Sequence, residues 1–488
     1  MKTTLRAWLK FSDSGTRIWG GFSHAGEVVL DNPSAIFMAT DMATENSDKK
    51  LTMTSQFAHQ PIGHTAYKVG GCLSWDHPSY VSRESDAELY QAITQGRLCT
   101  VLGPRQMGKS SLRIRVRRQL EQAGYCCVTL FASQLIDSPE DYSRWDRQLT
   151  SAIWDSLYPS DIHTLRWWLK KTESLLPQQR MEHFSRDLLF KKLSEQPVVV
   201  FIDDIDALLN IPFFADDLLE WIWHCYCLRK IYPIYDNLNF VILGNADGRA
   251  LLKNKRMLAN CKAIALNSFE LADTGSLQQG LAPYIQSTEQ VLESILRWTA
   301  GQPLLTQKLC SLFVENMHEN MHENMQTSDT VSDACFCGDF NTYLNDGQNG
   351  LNGCVNGTNE PANGAINRPE LLSVSPFPEA VDRWIDHLTR LHVVDSWYRQ
   401  DDLDYLWKIF YQLNQSPYKK QLLGLCERIF AGDPVQLDQN PVQSELLLSG
   451  LVVVREGQLY LSNELYHHIF APLLTENYPT GPRQFAQQ

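Results

Sequence analysis

Four short apolar runs stand out along the chain: Leu98–Leu102, Cys126–Leu130, Val198–Ile202 and Phe240–Leu243. None shows steady polar alternation, which is the pattern of strands buried on both faces. Helical periodicity follows the first run from Ser110 to Ala123, with Gly124 placed to close it, and helical stretches separate the others. Strand–helix alternation over residues 66–280 therefore predicts an α/β domain with a parallel sheet. Residues 281–325 read as helical, interrupted at Gly301-Gln302-Pro303 because proline cannot continue a helix. Folded patterning returns over 369–475, with helical segments near Pro378–Leu391, Asp402–Leu413 and Pro417–Phe430. Gln443–Ser449 and Gly450 then lead into a hairpin, Leu451–Arg455 and Gln458–Leu461 around Glu456-Gly457. Helices followed by a short hairpin give the outline of a winged helix.

Three stretches lack such patterning. Residues 1–65 are rich in Ser, Thr, Asp and Met and are expected to form a disordered tail, with Met53 a conceivable start. Residues 326–368 are rich in Asn, Gly, Asp and Ser, with too little apolar content to offset ordering entropy, and predict a disordered insert. Residues 476–488 are expected to be a loose tail.

The first strand runs into Gly103-Pro-Arg-Gln-Met-Gly108-Lys109-Ser110-Ser111. This spacing is that of a phosphate-binding loop. Gly103 and Gly108 allow a tight turn whose amides point at a polyphosphate, Lys109 reaches the terminal phosphates, and Ser110 offers its hydroxyl to Mg²⁺. Phosphate would lie at the N-terminus of the following helix, where free amides and the helix dipole favour negative charge. Arg105, Gln106, Met107 and Ser111 belong to the same cradle, and Arg105 is placed to meet phosphate or a neighbouring subunit. The third run ends in acids, Val198-Val-Val-Phe-Ile-Asp203-Asp204-Ile-Asp206. Ligands bind at the carboxyl edge of open α/β sheets, so Asp203 is the candidate Mg²⁺ carboxylate and Asp204 the candidate base for an attacking water. Asp206 is expected to cap the next helix. Asn245, at the end of the fourth run, would either sense the γ-phosphate and position water or serve as a turn residue.

Composition narrows the classes. A net charge of −13 gives no support for wholesale attraction to nucleic acid or an anionic membrane. The 12 cysteines include neighbouring pairs such as Cys126-Cys127 but no C-x-x-C spacing, which suits a reducing cytoplasm better than a disulfide framework or structural zinc. No apolar run is long enough to span a bilayer, and the N-terminus lacks a signal-peptide core. Arg113, Arg115, Arg117 and Arg118 read as a solvated, ion-paired helix face, and Trp167-Trp168 as core packing. His318 and His322 lie four apart in a short repeat and would share a helical face; a duplicated surface segment is the simpler reading than a metal site.

Several segments together resemble the cyanobacterial AAA-like domain proteins of the STAND class of signalling P-loop ATPases. These are Tyr80-Val-Ser-Arg-Glu84, Glu88-Leu-Tyr-Gln-Ala-Ile93, the loop with its Arg-Gln-Met insert, Phe201-Ile-Asp-Asp-Ile-Asp206, Trp298-Thr-Ala-Gly-Gln-Pro303 with the Leu-Leu-Thr-Gln-Lys-Leu-Cys310 that follows, and Leu448-Ser-Gly-Leu-Val452. The resemblance covers about residues 66–475. It implies a P-loop ATPase core, a helical lid and a C-terminal winged helix, with ATP and Mg²⁺ as ligands. It also implies slow hydrolysis that switches a closed state to an open, often oligomeric one. Tyr80, Val81 and Arg83 would flank the adenine side, and Pro303 would be the lid residue facing the base. Asp204 stands where such proteins often have Glu, one methylene longer. An ATP-gated switch or scaffold with protein partners or self-oligomerisation is therefore the leading expectation. The alternatives are an ATP-responsive, nucleic-acid-binding winged-helix regulator and a nucleotide-binding interaction module that does not hydrolyse. Arg229 is a candidate arginine finger acting in trans.

Overall fold

The computed structural model describes residues 66–135, 145–193, 196–209, 214–245, 257, 260–326, 378–438 and 440–473. The expected tails 1–65 and 476–488, and the insert from residue 327, lie outside these.

The four apolar runs are strands: β1 (Cys99–Leu102) is one residue shorter than its run, whereas β2 (Cys126–Phe131), β3 (Val198–Asp203) and β4 (Leu238–Gly244) extend slightly beyond theirs. A short β5 (Lys262–Ala263), which carries no apolar run, joins them. All pair in parallel, in the order β2-β3-β4-β1-β5. Every residue of β3 and β4 is buried, as expected for central strands covered on both faces. Alternate residues serve opposite faces. Val198, Val200, Ile202, Phe240 and Ile242 pack with Trp145, Trp154 and Phe184, whereas Val199, Phe201, Val241 and Leu243 pack with Leu112, Val116 and Leu89.

β4 lies between β1 and β3. Its register pairs Leu102 with Gly244 and Ile202 with Ile242. The tips of the loop strand, the acidic strand and β4 therefore end side by side at one edge of the sheet.

Beyond the sheet, helices Thr288–Thr299 and Pro303–Gln326 meet at the expected break. Gly301 has φ +73°, and a Cβ there would lie 2.1 Å from the Phe269 carbonyl oxygen, so only glycine allows the backbone of 269 to approach. Phe269 N donates to the Gly301 carbonyl at 2.8 Å. The C-terminal region contains helices Pro378–Thr389, Asp404–Gln415 and Lys419–Phe430, then β6 (Val435–Gln436), helix Pro441–Ser449, the hairpin β7 (Val452–Arg455) and β8 (Gln458–Leu461), and helix Glu464–Leu473. The three strands form an antiparallel sheet, β6-β8-β7. The sequence divides 281–325 from 369–475, yet one apolar core runs through both, from Leu292 and Phe313 to Trp384, Leu446 and Phe470. Arg297 reinforces it through Asp382 at 3.0 Å, and Trp298 Nε1 donates to Asp386 at 2.6 Å. Among the described residues no helix is long and apolar enough to cross a membrane.

Candidate nucleotide site

The loop Gly103–Ser111 leaves β1 at the sheet edge and enters helix Lys109–Gln122, with Gly108 (φ +87°) at its N-cap. Lys109 Nζ turns back over the loop. It donates to the carbonyls of Gly103 at 3.0 Å and Pro104 at 2.5 Å, and to Asn245 Oδ1 at 2.8 Å. Burial pulls its pKa down to about 8, against the opposing pull of the Asp206 and Asp203 carboxylates. An ammonium kept partly desolvated and aimed by three acceptors is prepared for an incoming anion.

Asp203, the last residue of β3, accepts from Ser110 Oγ at 3.2 Å and from Arg113 Nε at 2.9 Å. The Arg113–Asp203 pair is buried on both sides. Arg113 therefore does not belong to a solvated face, as its place in the basic cluster predicted; it fastens the loop helix to β3. Arg115 is likewise occupied, lying over the Tyr80 ring and 3.7 Å from Asp86, while Arg117 and Arg118 pair with Glu121 as expected. Ser110 Oγ and the Asp203 carboxylate form a hydroxyl–carboxylate pair, the hard oxygen donors that Mg²⁺ takes. These residues fit the ion that the loop implies.

Asp204 has a positive φ of 59°, which turns the chain sharply at the strand tip. Burial, and then the neighbouring carboxylates of Asp203 and Asp206, raise its pKa. Asp206 does not cap the following helix. Its carboxylate accepts from Asn245 N at 2.9 Å and from Asn245 Nδ2 at 3.4 Å, with Arg105 at 3.8 Å. Because β4 is inserted between β1 and β3, Asp206 meets the β4 tip rather than its own helix. The same insertion carries Asn245 to Lys109. Arg105 is half-exposed at this edge.

A cleft of about 490 Å³ lies beside the loop. It is lined by the expected Tyr80, Val81, Arg83, Gln106, Gly108, Ser111 and Pro303, residues drawn from three separate segments. Arg83 hooks the loop by donating to the carbonyls of Met107 and Asn267, both at 3.0 Å, with its guanidinium over Phe269. Its Nε is buried without an acceptor. Gln302 Nε2 donates to the Gln106 carbonyl at 3.3 Å, so the lid break holds the loop directly. Sequence reasoning missed Phe269, Gln307 and the N-terminal strap of Lys68, Gly70, Gly71 and Leu73, which also line the cleft. Gln302 and Gln307 did carry a signal, both lying in the segment Trp298–Cys310 on which the resemblance rests. Leu73 N donates to Ser111 Oγ at 3.1 Å.

Two other expectations change, those for Arg229 and Trp167. Arg229 is no free finger: it donates to the carbonyls of Gly96 and Leu238 and to Asn239 Oδ1. Trp168 is core, but Trp167 is exposed, with Lys171 over its ring. His318 bonds Tyr284 Oη, and no cluster of potential metal ligands occurs among the described residues.

Two outcomes follow from this geometry. Arg113→Met should cost about 3–5 kcal/mol by stranding a buried carboxylate, and adding Asp203→Leu should restore most of it; denaturant midpoints of the single and double variants measure the coupling. Lys109 is charged in the fold only at a cost, since its folded pKa of about 8 lies below the 10.5 of the free side chain. That cost is full below pH 8 and fades as pH rises from 8 to 10.5. The stability of wild type relative to Lys109→Met should therefore rise across this window, by at most about 3 kcal/mol. Denaturation at matched pH values checks the slope.

Residues 69–344 match the family model described as AAA-like domain. The chain is 31% identical over 419 residues to an uncharacterized WD repeat-containing protein of Synechocystis sp., an alignment covering 85% of this chain and 31% of that protein. The chain thus spans about a third of that relative's length. Among solved structures it is similar to the Walker-type ATPase of Pyrococcus abyssi, with 12% identity and a TM-score of 0.40, covering 82% of this chain and 98% of that one. It is also similar to the ORC2 protein of Aeropyrum pernix in its ADPNP–ADP complexes, with 13% identity and a TM-score of 0.38, covering 80% and 91%.

Proposed function

The chain belongs to the AAA-like domain family, and from that premise we propose that it is an ATP-gated switch or scaffold of the STAND class that turns its nucleotide over slowly. The observation that carries this reading is the convergence on the phosphate loop of Asp203, which accepts from Ser110, and of the lid residue Gln302, which donates to the Gln106 carbonyl, beside a cleft that Pro303 lines. ATP with Mg²⁺ would supply the scissile phosphoryl group and the metal that draws charge from it. Lys109 and the loop amides hold phosphate, Ser110 and Asp203 hold the metal, and Tyr80, Val81 and Pro303 flank the base. Asp204 takes up the proton of the attacking water at its carboxylate; burial and the neighbouring Asp203 and Asp206 carboxylates raise its pKa, the direction that strengthens a base. One methylene less than Glu shortens the reach of that carboxylate, which is the reason to expect slow turnover. Asn245 positions Lys109 from the β4 tip.

We read the C-terminal unit as a winged helix, on the order of helices Asp404–Gln415 and Lys419–Phe430, β6, helix Pro441–Ser449 and the β7-β8 hairpin. Helix Pro441–Ser449 contains no Lys or Arg, and its amide, Gln443, is buried and bonded to Asp438 N and the Gln436 carbonyl, so it offers none of the basic or amide side chains with which a helix reads DNA. Its C-terminal Gly450 instead faces the phosphate loop: a Cβ at 450 would stand 2.9 Å from Pro104 Cβ. Asp402 adds a second link, pairing with Lys308 at 2.7 Å. Contact between the C-terminal unit and the loop supports a closed state in which nucleotide governs release of that unit towards protein partners or further copies. The reading assigns the protein to the cytoplasm with no membrane partner.

Wild type should bind ATP–Mg²⁺ in calorimetry and hydrolyse it slowly. Lys109→Ala should weaken binding about a hundredfold or more. Asp204→Asn should retain binding within about threefold and lose turnover about a hundredfold. Absence of ATP–Mg²⁺ binding by wild type at millimolar concentration would sink the proposal. Gly450→Val forces a strained φ and a clash at Pro104, on the order of 1–2 kcal/mol. It should speed release of a fluorescent nucleotide about tenfold and enlarge the radius of gyration in X-ray scattering. An unchanged release rate and radius would remove the clamp from the mechanism.

A further inference from the structure

Gln307 lies four residues after Pro303 on the same helix, lines the cleft and is 4% exposed. Its Nε2 donates to the Ser79 carbonyl at 2.8 Å. A carbonyl can be met only by a donor, so this bond fixes which end of the amide is nitrogen. The other end, Oε1, is buried without a hydrogen-bond donor. Buried polar atoms in native proteins are nearly always paired, and an unpaired acceptor on a ligand cleft calls for a donor on the ligand.

The surroundings say which donor. The cleft is lined on the loop side by Gln106, Gly108 and Ser111, and elsewhere by Val81, Phe269, Pro303 and Leu304. A ligand with its phosphates on the loop presents its base to these apolar side chains, which suit a flat ring. Gln307 is the amide set among them, held by the residue that precedes Tyr80 and Val81.

We propose that Gln307 Oε1 accepts a hydrogen bond from the exocyclic 6-amino group of adenine and so determines base specificity. The inference rests on the nucleotide reading above. A purine with a carbonyl at position 6 would set two acceptors against each other, losing the bond and adding repulsion.

The test compares ATP with inosine triphosphate, which carries oxygen at position 6. Calorimetric affinities are measured for wild type, Gln307→Met and Gln307→Leu. Wild type should favour ATP by about tenfold or more. Both variants should bring the ratio to within about twofold, chiefly by weakening ATP while inosine triphosphate affinity holds. A ratio of two ligands on one sample does not depend on the fraction folded, so a partly unfolded variant still reads out. If wild type binds ATP but does not discriminate, or if discrimination survives both substitutions, the Gln307 assignment is overturned and the nucleotide reading stands. If wild type binds neither nucleotide, both fall.

Discussion

The placement of β4 between the loop strand and the acidic strand is the constraint on which the site depends. Parallel pairing in fixed register sets Leu102 level with Gly244 and ends β3 at Asp203, one residue beyond the Ile202–Ile242 pair. From that level the loop, the acids and Asn245 can reach one another. With β4 between the two, Asn245 stands beside both the loop strand and the acidic strand and so meets Lys109 and Asp206 together. The chemistry is thus an outcome of strand order, with side chains bonding across the tips only because the backbone ladders put them there.

On that rigid edge the phosphate loop is held by several independent tethers. Lys109 gathers its carbonyls from above, Arg83 takes Met107, Gln302 takes Gln106, and Arg113 ties the following helix to Asp203. These tethers belong to different parts of the chain, and two of them, Arg83 and Gln302, also border the cleft or its lid. Arg83 lines the cleft and Gln302 precedes Pro303, which also lines it. Under the proposed function, these contacts would couple nucleotide to the position of helices that share their apolar core with the C-terminal unit.

The N-terminal strap adds to these contacts. Tyr67 Oη donates to the Leu277 carbonyl at 2.6 Å, Leu73 N bonds the loop hydroxyl of Ser111, and Gly70 packs by the Asp402 side chain. One short segment thus joins lid, loop and C-terminal unit. Its small and polar residues carry no periodicity from which sequence could read such a role.

What the sequence determined by itself is local. The uninterrupted apolar runs specify central parallel strands because a strand covered on both faces must be apolar throughout. The glycine and lysine spacing specifies the phosphate loop because its chemistry is carried by consecutive residues, and the Gly-Gln-Pro break specifies the helix junction because proline lacks the amide to continue. Tertiary structure decided whatever depends on which distant segment arrives opposite. It gave Arg113 a buried carboxylate in place of water, turned Asp206 from a helix cap to the β4 tip, tied Arg229 to carbonyls of its own chain, and placed Gln307 beside the cleft with its oxygen unpaired. β5 and β6 escaped notice for the same reason: two-residue strands are defined by their partners, and hydrogen bonds across the chain leave no period in the sequence.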